Sequence, residues 1–354
     1  MSSLLHRLVG LAFAMGSVLS PSLVLAHGNG NGPGNGHGHG HGHGHGHGHH
    51  GGQGPIEVDQ VSFPVTLGDG NTYAVAGYLY HRGNIDKQIV QVAVHGATYD
   101  HRYWDAPRID GVDYSYARYM VERGFAVLAI DQLGTGASGQ PQGDFLDLQQ
   151  TALGLHQVVD SLHRKNNPIR KKAFDRVALV GHSNGSVTSI ASESAFHDAD
   201  ALVVTGWGHT AQVLPLDPTQ LAPFFASPYI AFPPPVSLGL RQSLFYYAPA
   251  ADPDVITYDA NVLTAPISRG QFSDLLFALT PNPTLDGVAG VTGPVLVQLG
   301  EFDVIAPASV AAAEPAFYAS ASSVTVQTLP GIGHVFNTHL AHEQSWDGIA
   351  PLLA

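Results

Sequence analysis

Val177-Ala178-Leu179-Val180-Gly181-His182-Ser183-Asn184-Gly185-Ser186 reads as a buried strand that turns abruptly into a helix. Four apolar residues lead in, and Val187, Ile190 and Ala191 mark one face of the helix beyond. The G-x-S-x-G pattern acquires meaning in this strand–turn–helix setting. The turn is so tight that a side chain at Gly181 or Gly185 would strike neighbouring backbone, so hydrogen is what fits. Ser183 is held out at the tip of a sheet, with the positive end of the next helix aimed at whatever reacts there. Five-residue patterns with three fixed positions also arise by coincidence in a glycine-rich chain. The partners of Ser183 elsewhere therefore decide the reading.

Outward from this stretch, strands and helices alternate. Ile89–Val94 and Phe125–Ile130 are short apolar runs, ending at His95-Gly96-Ala97 and at Asp131. Between them Ala117, Met120 and Val121 mark the inner face of a helix that Gly124 stops. Leu148, Ala152, Leu155, Val159 and Leu162 recur with the period of an amphipathic helix. Ala201–Thr205, Val295–Leu299 and Val324–Thr328 read as further strands, and a helix over Ala341–Leu353, broken or bent near Pro351, closes the chain. At the other end, Ile56–Leu67 alternates apolar and polar residues and meets Thr72–Tyr80 across the turn Gly68-Asp69-Gly70-Asn71. Short strands apolar on both faces, alternating with helices, call for an α/β fold: a mostly parallel sheet covered by helices, opened by an antiparallel hairpin.

The rhythm breaks between Gly206 and Gly293. Prolines cluster there, Pro233-Pro234-Pro235 among them, together with many aromatics, and Arg241 and Arg269 are its two basic residues. The segment is too long for a plain loop and too irregular for another strand–helix unit. It is read as a lid, residues 206–293, inserted into a core formed by residues 55–205 and 294–354, with most of its aromatics serving packing. His209, near its start, is a candidate for the pocket wall.

The amino terminus is of another kind. An apolar run from Leu8 to Leu25 follows the basic Arg7 and ends in Val24-Leu25-Ala26, the layout of a secretory signal peptide cleaved after Ala26. The run is just long enough to span a bilayer, but Pro21 and its small neighbours favour removal over a stable anchor. Residues 27–54 form a His/Gly-rich segment without apolar residues to support folding, so it is expected to be disordered. His37, His39, His41, His43, His45, His47, His49 and His50 are dense enough to chelate a borderline divalent metal, and a spacer role accounts for them equally well. The sequence contains no cysteine, which excludes thiol chemistry and thiolate-bound zinc. A net charge of −13 with no basic stripe argues against nucleic acid.

A serine hydroxyl is a poor nucleophile unless a base takes its proton, and an acid must orient that base. Both are expected in loops that follow strands, at the carboxyl end of the sheet that also carries Ser183. His334 lies in Leu329-Pro330-Gly331-Ile332-Gly333-His334, and Asp303 in Gly300-Glu301-Phe302-Asp303. Asp303 is favoured over Glu301, which sits nearer its strand. Asp131 is read as structural and His182 as a packing residue, while His339 and His342, at or in the last helix, are read as surface residues. An oxyanion would be held by backbone N–H groups, one from Asn184 and one from Ala97 or, next to it, Thr98.

Taken in order, His95-Gly96, Asp131-Gln132-Leu133-Gly134-Thr135-Gly136-Ala137-Ser138, the turn at Ser183, Asp303 and His334 resemble the α/β-hydrolase fold superfamily, in the branch with a lid after the sixth strand. The resemblance covers Thr72–Ala354. It departs at Asn184, where many relatives carry Met or Gln. It implies the fold and the order serine, acid, histidine, and leaves the substrate open, since esterases, lipases, C–C hydrolases, some peptidases and cofactor-free haloperoxidases are similar in these residues. The serine implies an acyl-enzyme and so an ester, thioester or amide. A serine in place of aspartate argues against dehalogenation and epoxide opening. Export, an apolar insertion and no cofactor motif lead to an expectation of a secreted serine hydrolase of small carboxylic esters. A peptidase or amidase with the same residues, and a non-catalytic exported metal-binding protein, are the rivals.

Overall fold

The computed structural model describes residues 54–85, 88–210, 221–279 and 285–353. The signal peptide expected over residues 1–26 and the histidines of residues 37–50, read as a metal chelator or a spacer, lie outside the described residues.

The hairpin comes first: β1 (Glu57–Thr66) pairs antiparallel with β2 (Thr72–His81), from Glu57 opposite His81 to Thr66 opposite Thr72. Next come β3 (Val90–Val94), α1 (Tyr116–Glu122) and β4 (Ala126–Ile130), then α2 (Leu148–Leu162), β5 (Val177–His182), α3 (Asn184–Phe196) and β6 (Ala201–Thr205). Helix α2 starts where Asp147 accepts the Gln150 N–H at 3.0 Å, an N-cap that supplies one of the first turn's missing partners. The segment after β6 contributes α4 (Pro234–Leu240), α5 (Pro253–Tyr258) and α6 (Arg269–Ala278), and its own two-residue ladder joins Tyr229–Ile230 to Ile267–Ser268. The core resumes with β7 (Pro294–Gly300) and β8 (Ser323–Leu329) and closes with α7 (Glu343–Leu353).

The eight core strands form one sheet in the order β1-β2-β4-β3-β5-β6-β7-β8, with the pairs β1–β2 and β2–β4 antiparallel and every pair from β4 to β8 parallel. This is the expected α/β architecture. Alternation along β3 splits the core into two layers: Val90, Val92 and Val94 pack with α2 and α3, and Ala93 packs on the face covered by α1 and α7. Helix α7 is not broken at Pro351: it continues through the proline to Leu353, and the one bond that the missing N–H forfeits has only two helical residues beyond it.

The strand order also locates the site. From β3 the chain moves to one side, to β4, and then crosses back to place β5 on the other side of β3. Such a reversal opens a crevice above the carboxyl ends of the two adjacent strands. The loops that leave β3 and β5 there are Gly96–Tyr99 and the turn at Ser183.

Candidate active site

Ser183 stands between β5 and α3 with φ 51° and ψ −120°, a conformation seldom adopted by a residue with a side chain. Its neighbours permit the turn by lacking one. A Cβ on Gly185 would lie 2.1 Å from the Val94 carbonyl oxygen, and one on Gly181 would lie 2.6 Å from the Ser186 Cα. Gly185 thus lets α3 approach β3 closely, Gly181 lets α3 fold back on β5, and the serine is pushed out at the bend.

Three residues from separate loops meet there. Ser183 Oγ lies 2.8 Å from His334 Nε2, and His334 Nδ1 lies 3.0 Å from Asp303 Oδ2. The other carboxylate oxygen of Asp303 accepts the N–H groups of Ile305 at 2.7 Å and Ala306 at 3.0 Å. Those bonds fix the carboxylate plane, so that Nδ1–H of His334 donates to it and Nε2 is left as an acceptor facing the serine. Glu301 is exposed and accepts the Gly331 N–H at 3.0 Å, away from the imidazole.

The loops expected to supply backbone donors border the same point. Ala97 and Thr98 line the same cavity as Ser183. A Cβ on Gly96 would sit 3.2 Å from Ser183 Cβ, which shows how tightly the β3 loop is pressed against the serine. Asn184 opens α3, where its N–H has no intrahelical partner. His95 ties this corner down: its ring bonds the Gly96 carbonyl at 2.9 Å, accepts the Gln132 N–H at 3.1 Å, and lies 3.1 Å from Thr135 Oγ1. Asp131 is buried and holds the neighbouring loops, accepting from the His101 backbone and ring at 2.9 and 2.7 Å and from the Ala137 N–H at 2.8 Å.

Above Ser183 lies a cavity of about 70 Å³ whose wall is almost wholly apolar. Leu221, Phe232, Leu244, Phe245, Phe272 and Leu275, all from the segment after β6, supply most of it. Among the described residues, no charged side chain lines it.

The other histidines divide in ways that spacing does not reveal. His182 is buried under the array, stacked on Tyr103 with ring centroids 4.6 Å apart and bonded to Thr205 Oγ1 at 3.1 Å, and burial pushes its pKa well down. His209 is not in the cavity wall. It is buried between Glu314, 2.5 Å from Nδ1, and Asp286, 3.1 Å from Nε2.

His339 and His342 are buried, not on the surface as their place near a terminal helix implies. His339 donates from Nδ1 to the Val335 carbonyl at 2.7 Å, and its Nε2 accepts the N–H groups of Gly333 and Tyr247, each at 3.1 Å. It thereby braces the residue next to His334, a role visible only once the loop is folded back. Burial drives its pKa down to about 4, and it also lowers His95, His182 and His342.

Below about pH 6.5 the unfolded chain binds protons at these rings that the native protein does not, so stability falls as pH falls. For His339 the fall continues down to about pH 4, where the native ring is protonated too. In urea titrations between pH 6 and 4.5, His339→Gln should show a slope shallower than wild type by roughly 1 kcal/mol per pH unit. Equal slopes would contradict a neutral His339.

Comparison with known proteins agrees with this fold. No curated protein sequence matches the chain. Solved structures do match in fold. A thermophilic esterase from Thermogutta terrifontis, with malate bound, superposes with a TM-score of 0.55 at 18% identity, over 83% of this chain and 98% of that one. An esterase from Exiguobacterium antarcticum gives 0.57 at 15% identity, over 82% and 98%. Est1E from Butyrivibrio proteoclasticus, with ferulic acid bound, gives 0.52 at 16%, over 82% and 96%. At these identities the likeness speaks for the fold alone. The sequence itself goes further: residues 91–351, from β3 to the last turn of α7, match the alpha/beta hydrolase family model, and the chain belongs to that family.

Proposed function

We propose that the protein is an exported serine hydrolase that cleaves small, uncharged carboxylic esters through an acyl-enzyme. The observation that carries this reading is the 2.8 Å contact between Ser183 Oγ and His334 Nε2 at the base of an apolar cavity. His334 takes the serine proton as Oγ attacks the carbonyl carbon, and the tetrahedral oxyanion is held by the N–H groups of Ala97 and Asn184. The imidazolium then gives its proton to the leaving alcohol, and Asp303 keeps its ring oriented and offsets its charge. Water repeats the sequence on the acyl-enzyme and releases the acid. The apolar cavity wall favours an uncharged acyl group, because an ionised one would lose its hydration without a partner. Export rests on the apolar run before Ala26, and the ester reading is supported by the esterase folds it resembles.

A panel of p-nitrophenyl esters of increasing acyl length, run beside matched anilides, tests this. Esters should be turned over at least about a hundredfold faster than the anilides, since an alcohol leaves more readily than an amine, and a fluorophosphonate should label Ser183 and stop both. Faster cleavage of the anilides would move the protein to the peptidase reading. Labelling at another residue would remove Ser183 as the nucleophile.

A further inference from the structure

The turn that follows β3 adopts a conformation its own sequence does not favour. Thr98 has φ 65°, in the left-handed region. For a β-branched residue this is strained, and such strain persists where the surroundings over-determine it. Within the turn the closure is weak, the Tyr99 N–H reaching the Gly96 carbonyl at 3.4 Å.

The restraint comes instead from the segment between β6 and β7. The Ala265 N–H donates to the Thr98 carbonyl at 2.8 Å. Nη2 of Arg241 approaches the same carbonyl at 3.4 Å and Thr98 Oγ1 at 3.3 Å. Asp259 accepts Nε of Arg241 at 3.0 Å and the hydroxyl of Tyr99 at 2.8 Å. Tyr246 completes the set, donating to Asp259 at 2.8 Å while lying 2.7 Å from Thr338 Oγ1, in the turn after His334. Arg241, Asp259 and Tyr99 are all buried, and Nη1 of Arg241 has no acceptor among the described residues. A buried ion pair contributes little net stability once its desolvation is counted, so stability is a poor account of this arrangement. Its geometry converges on a single backbone turn.

We propose that Arg241 and Asp259 are positioning residues that clamp the turn Gly96–Tyr99, so that the segment over the sheet sets the Ala97 N–H against the oxyanion as well as covering the pocket. The proposal rests on the serine-hydrolase reading above. In that reading the transition state needs the Ala97 donor more than the bound ester does, so a loosened turn lowers kcat more than it changes KM.

The test is the double variant Arg241→Met with Asp259→Asn, which removes both charges together and leaves an amide oxygen to accept from the two tyrosines. It should keep its urea midpoint near that of wild type, lose roughly 10- to 100-fold in kcat on a p-nitrophenyl ester, and hold KM within about threefold. Adding Thr98→Gly should recover at least about fivefold of that loss, because glycine holds a positive φ without strain and needs less restraint. General damage to the segment would not be repaired by a glycine in a different loop. If the double variant fails to fold, Arg241→Lys keeps the pair with Asp259 but loses the second arm toward Thr98, and kcat should still fall with KM held. An unchanged kcat in the variant that folds, or a loss that Thr98→Gly does not recover, would overturn the clamp. Ser183→Ala run alongside separates the two ideas: activity surviving it sinks the hydrolase reading, whereas an inert Ser183→Ala beside a fully active double variant sinks the clamp alone.

Discussion

Ser183→Ala is expected to lower turnover of a p-nitrophenyl ester by roughly four to six orders of magnitude while the urea midpoint stays close to that of wild type. The size follows from the proposed mechanism, in which the acyl-enzyme cannot form without Oγ and what remains is binding plus the backbone donors, which act on water far less well. Stability should hardly change. The hydroxyl bonds His334 at the base of the cavity, and the strained backbone of residue 183 is set by Gly181 and Gly185 rather than by the serine side chain. The acid can be assigned in the same assay. Asp303→Asn should lose about four orders of magnitude, because an amide can present an N–H to Nδ1 and force the wrong tautomer. Glu301→Gln should lose little, since Glu301 contacts the Gly331 backbone and not the imidazole. A larger loss at Glu301 than at Asp303 would overturn the assignment, and activity retained in Ser183→Ala would overturn the mechanism.

The largest expected effect on stability lies outside that array. His209→Ala should cost about 3–5 kcal/mol, because it leaves Asp286 and Glu314 buried without their cation. The three residues join the entry to the segment after β6, its exit, and the excursion that follows β7, so the cost falls on closure of the segment's two ends. Burial opposes a charge on His209, but hydrogen bonds to Asp286 and Glu314 outweigh it and raise the ring to about 9. The folded value lies above the unfolded one, so this stabilisation is complete below about pH 6.5 and is lost as pH rises through about 9, on the order of 3 kcal/mol in all. Urea titrations of wild type and variant from pH 6 to 9.5 check both statements. The variant should be less stable at pH 6 and should lack the alkaline decline. Matching curves would show that His209 is not held as a cation.

These effects lie at different depths of legibility. The pattern of apolar residues is enough to place all eight core strands within a residue or two. Strands β3 to β7, buried on both faces, are almost wholly apolar, while the outer strands β1 and β8 alternate apolar with polar residues and β2 follows β1 across a legible turn. Ser183, Asp303 and His334 can be picked out because each follows a strand whose end is visible in the sequence, and parallel strands deliver such loops to one edge. His339, His342 and His209 are misread from sequence for the opposite reason. Burial is a property of what folds over a residue, and nothing near His339 announces that Tyr247 and Gly333 will donate to it.

Local pattern thus settles the sheet, its carboxyl edge and the short list of groups gathered there, since hydrophobic period and turn chemistry act over a few residues. Which of those groups meet is settled by packing. The folded chain brings His334 to within 2.8 Å of Ser183, seats Asp303 rather than Glu301 against the imidazole, and sets Arg241 and Ala265 against Thr98. Those pairings depend on the reversal in strand order that puts β3 beside β5, and on the path of a long irregular segment back across it. Asp303 and His334 are 31 positions apart and the other pairs more than a hundred; contacts at such separations are set by the packing of whole layers, and no local pattern encodes them.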